Sequence, residues 1–222
     1  MKKLMITYCD EKYLKWYPVW LKSIKIFEPE ADTILHLINH KMKKNRTIIH
    51  HTISILNPDV IICHKIKFFI ETIEKYDADI YILTDIDMML NKPLVEFDND
   101  ENWDIAGFLI SENKVAGGIL GARKTEKALI FLNEYNNYLI KPPYFFNKDQ
   151  PSLAMFYNKY NGNLIKWKQL SRKYIDHTCS DDAFFWSAHK SSFGSKEQRL
   201  EKFIKRLKQY EDMFTYSSQG RQ

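Results

Sequence analysis

An α/β fold with a mostly parallel central sheet flanked by helices is predicted by three observations. In the first half of the chain, short apolar runs alternate with segments whose apolar residues recur at the helical period. One run, Ile80-Tyr81-Ile82-Leu83-Thr84, has no polar alternation, as expected of a strand buried on both faces. The chain has 222 residues, 45% of them hydrophobic, so residues 1–222 are expected to form one domain around its own core. Only seven Gly and seven Pro are present, which excludes a linker or low-complexity protein, and no repeat marks a solenoid or propeller.

Taken in order, Leu4 to Tyr8 reads as a first strand. Tyr13 to Phe27 reads as a helix, with Leu14, Trp16, Tyr17, Trp20, Leu21, Ile24 and Phe27 on its apolar face and Pro18 marking a first turn or a kink. Thr33 to Ile38 is a second strand, the polar stretch from Asn39 to Arg46 a loop, and Thr47 to Leu56 either helix or strand. Val60-Ile61-Ile62 reads as another short strand, followed by a helix in which Ile66, Phe69, Ile70 and Ile73 recur up to Tyr76. After the buried run at Ile80, strands are expected at Trp103 to Leu109 and Val115 to Leu120. A helix with Thr125 as its cap is expected from Thr125 to Leu139. Asp149 to Tyr157 begins another, with Asp149 or Gln150 near the cap and Pro151 in the first turn. A late strand spans Asp182 to Ala188, and a closing helix runs from about Lys196 to Met213.

Composition narrows the function classes. The net charge of +5 is spread along the chain, which suits phosphorylated small molecules and does not specify nucleic acid. Cys9, Cys63 and Cys179 lie far apart with no zinc spacing, as in a reduced, cytoplasmic protein. The apolar run at the start is too short for a signal peptide and yields to Asp10-Glu11-Lys12. No stretch reaches the roughly 18 apolar residues of a membrane span. The closing helix carries Leu200, Phe203, Ile204 and Leu207 on one face, which either packs on the protein's own core or lies on a membrane surface.

The segment that carries chemistry is Asp85-Ile86-Asp87, directly after the buried run and before Met88-Met89-Leu90. Ligands of open α/β sheets bind outside the carboxyl ends of the strands. Residues two apart on extended chain point the same way, so Asp85 and Asp87 can face one pocket. Two carboxylates held close repel unless a cation sits between them, and hard oxygen ligands suit Mg²⁺ or Mn²⁺ shared with substrate phosphates. A solvated turn is the bland alternative; the apolar segments on both sides weigh against it.

From Lys65 through Lys92-Pro93-Leu94 the chain resembles the core of the GT-A fold glycosyltransferases, with their helix, buried strand, Asp-x-Asp motif and Lys-Pro-Leu-like exit. Downstream, Trp103 to Phe108 resembles the family's next strand, and Val115-Ala116-Gly117-Gly118-Ile119-Leu120 its Asn-Ala-Gly-Val segment. Asp149-Gln150-Pro151 resembles its Asp-Gln at a helix start. The motifs are individually weak, and their order over about residues 4 to 196 is what carries the resemblance.

The resemblance implies a transfer of sugar from a nucleotide-diphosphate sugar, UDP-linked or GDP-linked with UDP favoured, to a glycan, lipid or protein acceptor, with Mn²⁺ or Mg²⁺ as cofactor. Asp87 would ligate the metal, and Asp85 would contact the ribose, the metal or both. Thr7 and Tyr8 would hold the nucleotide base, with Tyr8 either stacking on it or packing in the core. Lys65 would contact the donor or remain a surface lysine. Asp104, Gly117 and Gly118 would lie beside the donor sugar, Ala116 standing where the family has Asn. Asp149 would act on the acceptor side, as general base or hydroxyl-binding group, or else cap its helix. His189 would complete the metal site, and either Lys190 or Lys196 would bind the diphosphate. The remaining histidines, including His50 and His51, read as surface or packing residues.

Three other classes are weighed. A phosphatase of the haloacid dehalogenase type places its Asp-x-Asp near the chain start, unlike this one. A sugar nucleotidyltransferase carries a Gly-rich loop after the first strand, where this chain has Thr7-Tyr8-Cys9-Asp10-Glu11. A non-catalytic nucleotide-sugar or glycan-binding protein on the same fold is countered by the intact Asp85, Asp87 and His189.

Overall fold

The computed structural model describes residues 1–40, 47–53, 58–98, 102–145, 148–188 and 194–219, without the side chains of 58–60 and 214–219. Nine strands and six α-helices are found among them: β1 (Lys3–Cys9), α1 (Tyr17–Phe27), β2 (Asp32–Ile38), β3 (Ile48–His51), α2 (Pro58–Lys75), β4 (Ile80–Thr84), β5 (Met88–Leu90), α3 (Val95–Asp98), β6 (Ile105–Ser111), β7 (Lys114–Ala122), α4 (Glu126–Leu139), α5 (Asp149–Tyr160), β8 (Trp167–Gln169), β9 (Phe185–Ser187) and α6 (Lys196–Gln219).

Seven strands form one sheet in the order β3-β2-β1-β4-β7-β6-β8. Only β7 runs against its neighbours; the other pairings in this sheet are parallel. The chain winds outward from β1 through β2 to β3, then crosses back to place β4 on the other side of β1. The carboxyl ends of β1 and β4 therefore flank the point where the winding reverses, and there an open α/β sheet leaves a crevice.

Side chains of the central strands alternate between two apolar layers, as the period of two requires. Met5, Ile80 and Ile82 face one layer with α1, α6 and the β5–β9 ribbon. Leu4, Ile6, Tyr81 and Leu83 face the other, with α2, α4 and α5. Helices thus cover both faces, and the α/β class with a mostly parallel sheet is the observed one.

Several elements differ from their sequence expectation for local reasons. Val60-Ile61-Ile62 is not a strand. It lies in the first turns of α2, because Pro58 starts the helix and the apolar period of Ile66, Phe69, Ile70 and Ile73 extends back through it. Pro18 sits in the first turn of α1 and kinks nothing, since the preceding Glu11–Trp16 forms a 3-10 turn capped by Asp10. Thr125 caps α4 as expected, its hydroxyl accepting from the Ala128 amide at 3.1 Å. Asp149 does not cap α5: Lys148 holds the cap position, and the Asp149 carboxylate turns inward. Of the polar stretch expected as a loop, 41–46 lies outside the described residues, as does 54–56.

The closing helix packs on the core. Phe203, Leu207 and Tyr210 are buried against α1 and β9, whereas Ile204 is 52% exposed. Two polar ties fix its direction: Arg199 donates to the Ser187 carbonyl at 2.8 Å, and the Tyr210 hydroxyl donates to Asn91 at 2.5 Å. Among the described residues no helix is long and apolar enough to cross a membrane.

Candidate active site

The site is built where β1 and β4 end. Thr7 is fully buried, and its hydroxyl donates to the Thr84 carbonyl at 2.9 Å; the Thr84 hydroxyl in turn accepts from the Trp20 indole at 2.8 Å. These bonds lock the two strand ends together from below. Thr7 is a strand latch whose hydroxyl proton goes to the backbone.

Beyond Thr84 the chain turns. The Asp85 amide donates to the Gly118 carbonyl at 2.9 Å, and Met88 N closes back on the Asp85 carbonyl at 3.3 Å. Ile86 is pulled into the core, so Asp85 and Asp87 flank an anchored residue and remain only partly buried. The motif is a turn held from inside, not the extended chain that period-two reasoning assumed. β9 then pairs with β5, and the Ala188 amide donates to the Asp87 carbonyl at 2.9 Å. His189 and Lys190 follow immediately and lie outside the described residues.

Each carboxylate of the motif has a different partner. Asp85 accepts from the Tyr8 hydroxyl at 3.1 Å. Asp87 pairs with Lys196, the first residue of α6, at 2.6 Å, and the same amine lies 4.5 Å from the centre of the Tyr13 ring. A third unit completes the group. Lys65 from α2 and Asp149 from α5 form an ion pair with both side chains about 95% buried, and the Lys65 amine also donates to the Gly117 carbonyl at 2.8 Å. Their approach is possible because residue 117 has no side chain: a Cβ there would overlap the Asp149 carboxylate. A Cβ at Gly118 would press less hard, 3.2 Å from Met88 Sδ and 3.4 Å from Asp85 Oδ2.

Burial is the first cause raising the Asp85 carboxyl to about 6; Lys65 pulls it back down, while Asp87 and Asp149 push it up. The Tyr8 phenol is raised well above its usual range by burial and by the neighbouring carboxylates, so it stays a neutral donor to Asp85. Burial lowers Lys65 and Lys196, but Asp149 and Asp85 outweigh it for the first and Asp87 for the second, and both amines end raised.

Asp104 is not part of this group. It precedes β6, which the register sets level with the start of β4, so it lies about 13 Å from the carboxyl ends. Its two oxygens are taken by the Thr125 hydroxyl at 2.6 Å and the Lys166 amide at 2.8 Å, which hold α4 and β8 to the sheet. Of the residues expected from sequence, Tyr8, Lys65, Asp85, Asp87, Gly117, Gly118, Asp149 and Lys196 are therefore gathered at one place. Tyr13 was not foreseen, because within a helix-periodic run nothing distinguishes a ring that meets a lysine from one that fills a core.

No protein-family model matches the chain, and no curated protein matches its sequence. Its fold, however, is shared with a solved structure, described as a glycosyltransferase involved in the glycosylation of the major capsid of PBCV-1. The two superpose with a TM-score of 0.64 at 11% identity, over 92% of this chain and 100% of that one. This chain is thus an α/β protein with the Rossmann-like architecture that a glycosyltransferase also has.

Proposed function

We propose that the chain is a metal-dependent glycosyltransferase that moves a sugar from a nucleotide-diphosphate sugar, a UDP-sugar or GDP-sugar, to an acceptor hydroxyl in glycan synthesis. One observation carries the reading: at the switch point of the sheet, Asp85 and Asp87 converge with lysines from two distant helices, and Asp87 already holds a cationic amine. Such a cluster of acidic oxygens requires positive charge and is placed where this architecture binds nucleotides.

The donor set fits a hard divalent cation. Asp85 and Asp87 would hold Mn²⁺ or Mg²⁺, and the ion would supply charge neutralisation for the departing nucleoside diphosphate. The protein's own groups do the rest. Tyr8 fixes one Asp85 oxygen and leaves the other directed toward Gly118. Lys196, two-thirds buried and in contact with Asp87, would be within reach of a diphosphate held there, which supports it as a diphosphate-binding lysine; Lys190 lies outside the described residues. The bare backbone at Gly117 and Gly118 lets Asp149, Lys65 and Asp85 close in on β7, which sets the charged groups that would face a donor. Asp149 acts in this reading by holding Lys65 and, through it, the Gly117 carbonyl; service as an acceptor-side base would require that pair to open.

Asp87→Asn and Lys196→Met test the reading. Transfer from a panel of UDP- and GDP-sugars with Mn²⁺ should fall by about 100-fold or more in each, with far-UV circular dichroism unchanged. Full activity in a folded Asp87→Asn variant would remove the motif from the mechanism.

A further inference from the structure

We propose a second metal site, separate from the Asp85–Asp87 group, in which His36, His51 and Glu71 bind a zinc-like transition ion through two imidazole nitrogens and one carboxylate oxygen. His36 sits within β2 and is fully buried, His51 ends the edge strand β3, and Glu71 and Thr72 lie on α2 over them. One potential ligand atom from each of His36, His51 and Glu71 lies within 4.8 Å of the others. Glu71 is six residues past Lys65 on α2, about 9 Å along the axis, so the cluster is distinct from the candidate active site.

The hydrogen bonds assign the tautomers. The Thr72 hydroxyl donates to the Phe68 carbonyl at 2.9 Å, so toward His36 it can only accept, and His36 Nε2, 2.7 Å away, carries the proton. His36 Nδ1 is then a bare lone pair. At present it accepts from His51 Nε2 at 2.7 Å. A ligating histidine ordinarily donates its other ring N–H to an oxygen that fixes its orientation, and Thr72 already does this for His36. Phe68 stacks beside both rings, with centroids 5.1 Å from His36 and 4.2 Å from His51, and holds them side by side.

Burial lowers His36 to about 3 and His51 to about 4, with His51 adding to the first and Lys67, His50 and His64 to the second. Both rings are therefore neutral at pH 7 and have lone pairs to give. For the ion to enter, the His51 proton moves from Nε2 to Nδ1, with no net proton released by the pair. The two nitrogens then spread by about 0.6 Å to the spacing of a tetrahedral site. Among the described residues Lys67 contacts Glu71 only loosely, at 3.9 Å, which leaves the carboxylate able to turn toward an ion. Two nitrogens and one oxygen suit zinc and its neighbours rather than magnesium or calcium. The site joins β2, β3 and α2, so the ion would act as a staple on the edge of the sheet.

The test uses the Asp85→Asn/Asp87→Asn double variant, which removes the other cation site. Zinc titration by calorimetry should show one equivalent bound, cobalt should give a visible absorption band, and the melting temperature should rise with zinc. Adding His51→Ala or Glu71→Gln should weaken binding at least about 10-fold, and Thr72→Val, which removes only the oxygen behind His36, by about 10- to 100-fold. Absence of zinc binding in the double variant would overturn the proposal. So would unchanged affinity in a folded His51→Ala variant, which places any bound zinc elsewhere.

Discussion

At the residue scale, Gly117 is the position whose identity the geometry dictates most firmly. Gly117→Ala must force apart Lys65 and Asp149, and breaking a buried ion pair costs about 3 kcal/mol or more. Gly118→Ala, with its nearest neighbours beyond 3 Å, should cost less than about 1.5 kcal/mol. Urea melts of the two variants check the order. The sequence displayed both glycines and both charged partners, but not that Lys65 and Asp149 meet, because 84 positions separate them and only the packing of α2 on α4, and of α5 on α4 and β7, brings them together. Thr7 shows the converse. Its place at a strand end was legible, yet the use of its hydroxyl on the Thr84 carbonyl depends on β4 being the neighbour, which a single strand cannot reveal.

Asp85 makes a pH-dependent prediction at the same scale. Its folded-state carboxyl is raised to about 6 from an ordinary value near 3.8. Between those values the folded chain holds a proton that the unfolded chain has lost, so this group's contribution to stability falls as pH rises through the window. The loss, on the order of 3 kcal/mol, persists at neutral pH unless a cation offsets the ionised carboxylate. Manganese should therefore raise the melting temperature more at pH 7.5 than at pH 5. An equal shift at both values would show that Asp85 does not sense the ion.

At the element scale, the ends of helices set the site. Lys148 donates to the carbonyls of Tyr138, Leu139 and Lys141 at the end of α4, and Ser152 returns a bond to the Lys148 carbonyl at 2.6 Å, so α5 starts where Asp149 can face Lys65. Lys148→Met should destabilise the chain by about 1–3 kcal/mol and lower activity with it, since one buried and two part-buried carbonyls lose their donor. Thermal melts and transfer assays on one preparation check both halves. Strongly periodic helices such as α4 were legible from the sequence because period, cap and length agreed. The start of α2 was not: three β-branched residues in a row read as strand, and only the helix that continues from them decides otherwise. β8, three residues long, had no periodic signal to read.

At the scale of the whole molecule, the winding order explains why these residues meet. β1 and β4 are separated by two strands and two helices in sequence and are neighbours in space, and the winding reverses between them where Asp85 and Tyr8 meet. The alternation of apolar runs indicated the layers, and the order of weak motifs indicated the architecture. Neither showed that α6 returns to the start of the chain, which sets Lys196 beside Tyr13 and Asp87. That return rests on Phe203 and Leu207 filling the layer over α1, so truncation before Phe203 should abolish both folding and donor binding.

Titration calorimetry of UDP- and GDP-sugars with and without Mn²⁺ tests the central claim most directly. Micromolar to millimolar binding of one of them is expected only when the ion is present, and none in the Asp85→Asn/Asp87→Asn variant. Binding that ignores both the ion and the two aspartates would contradict the account.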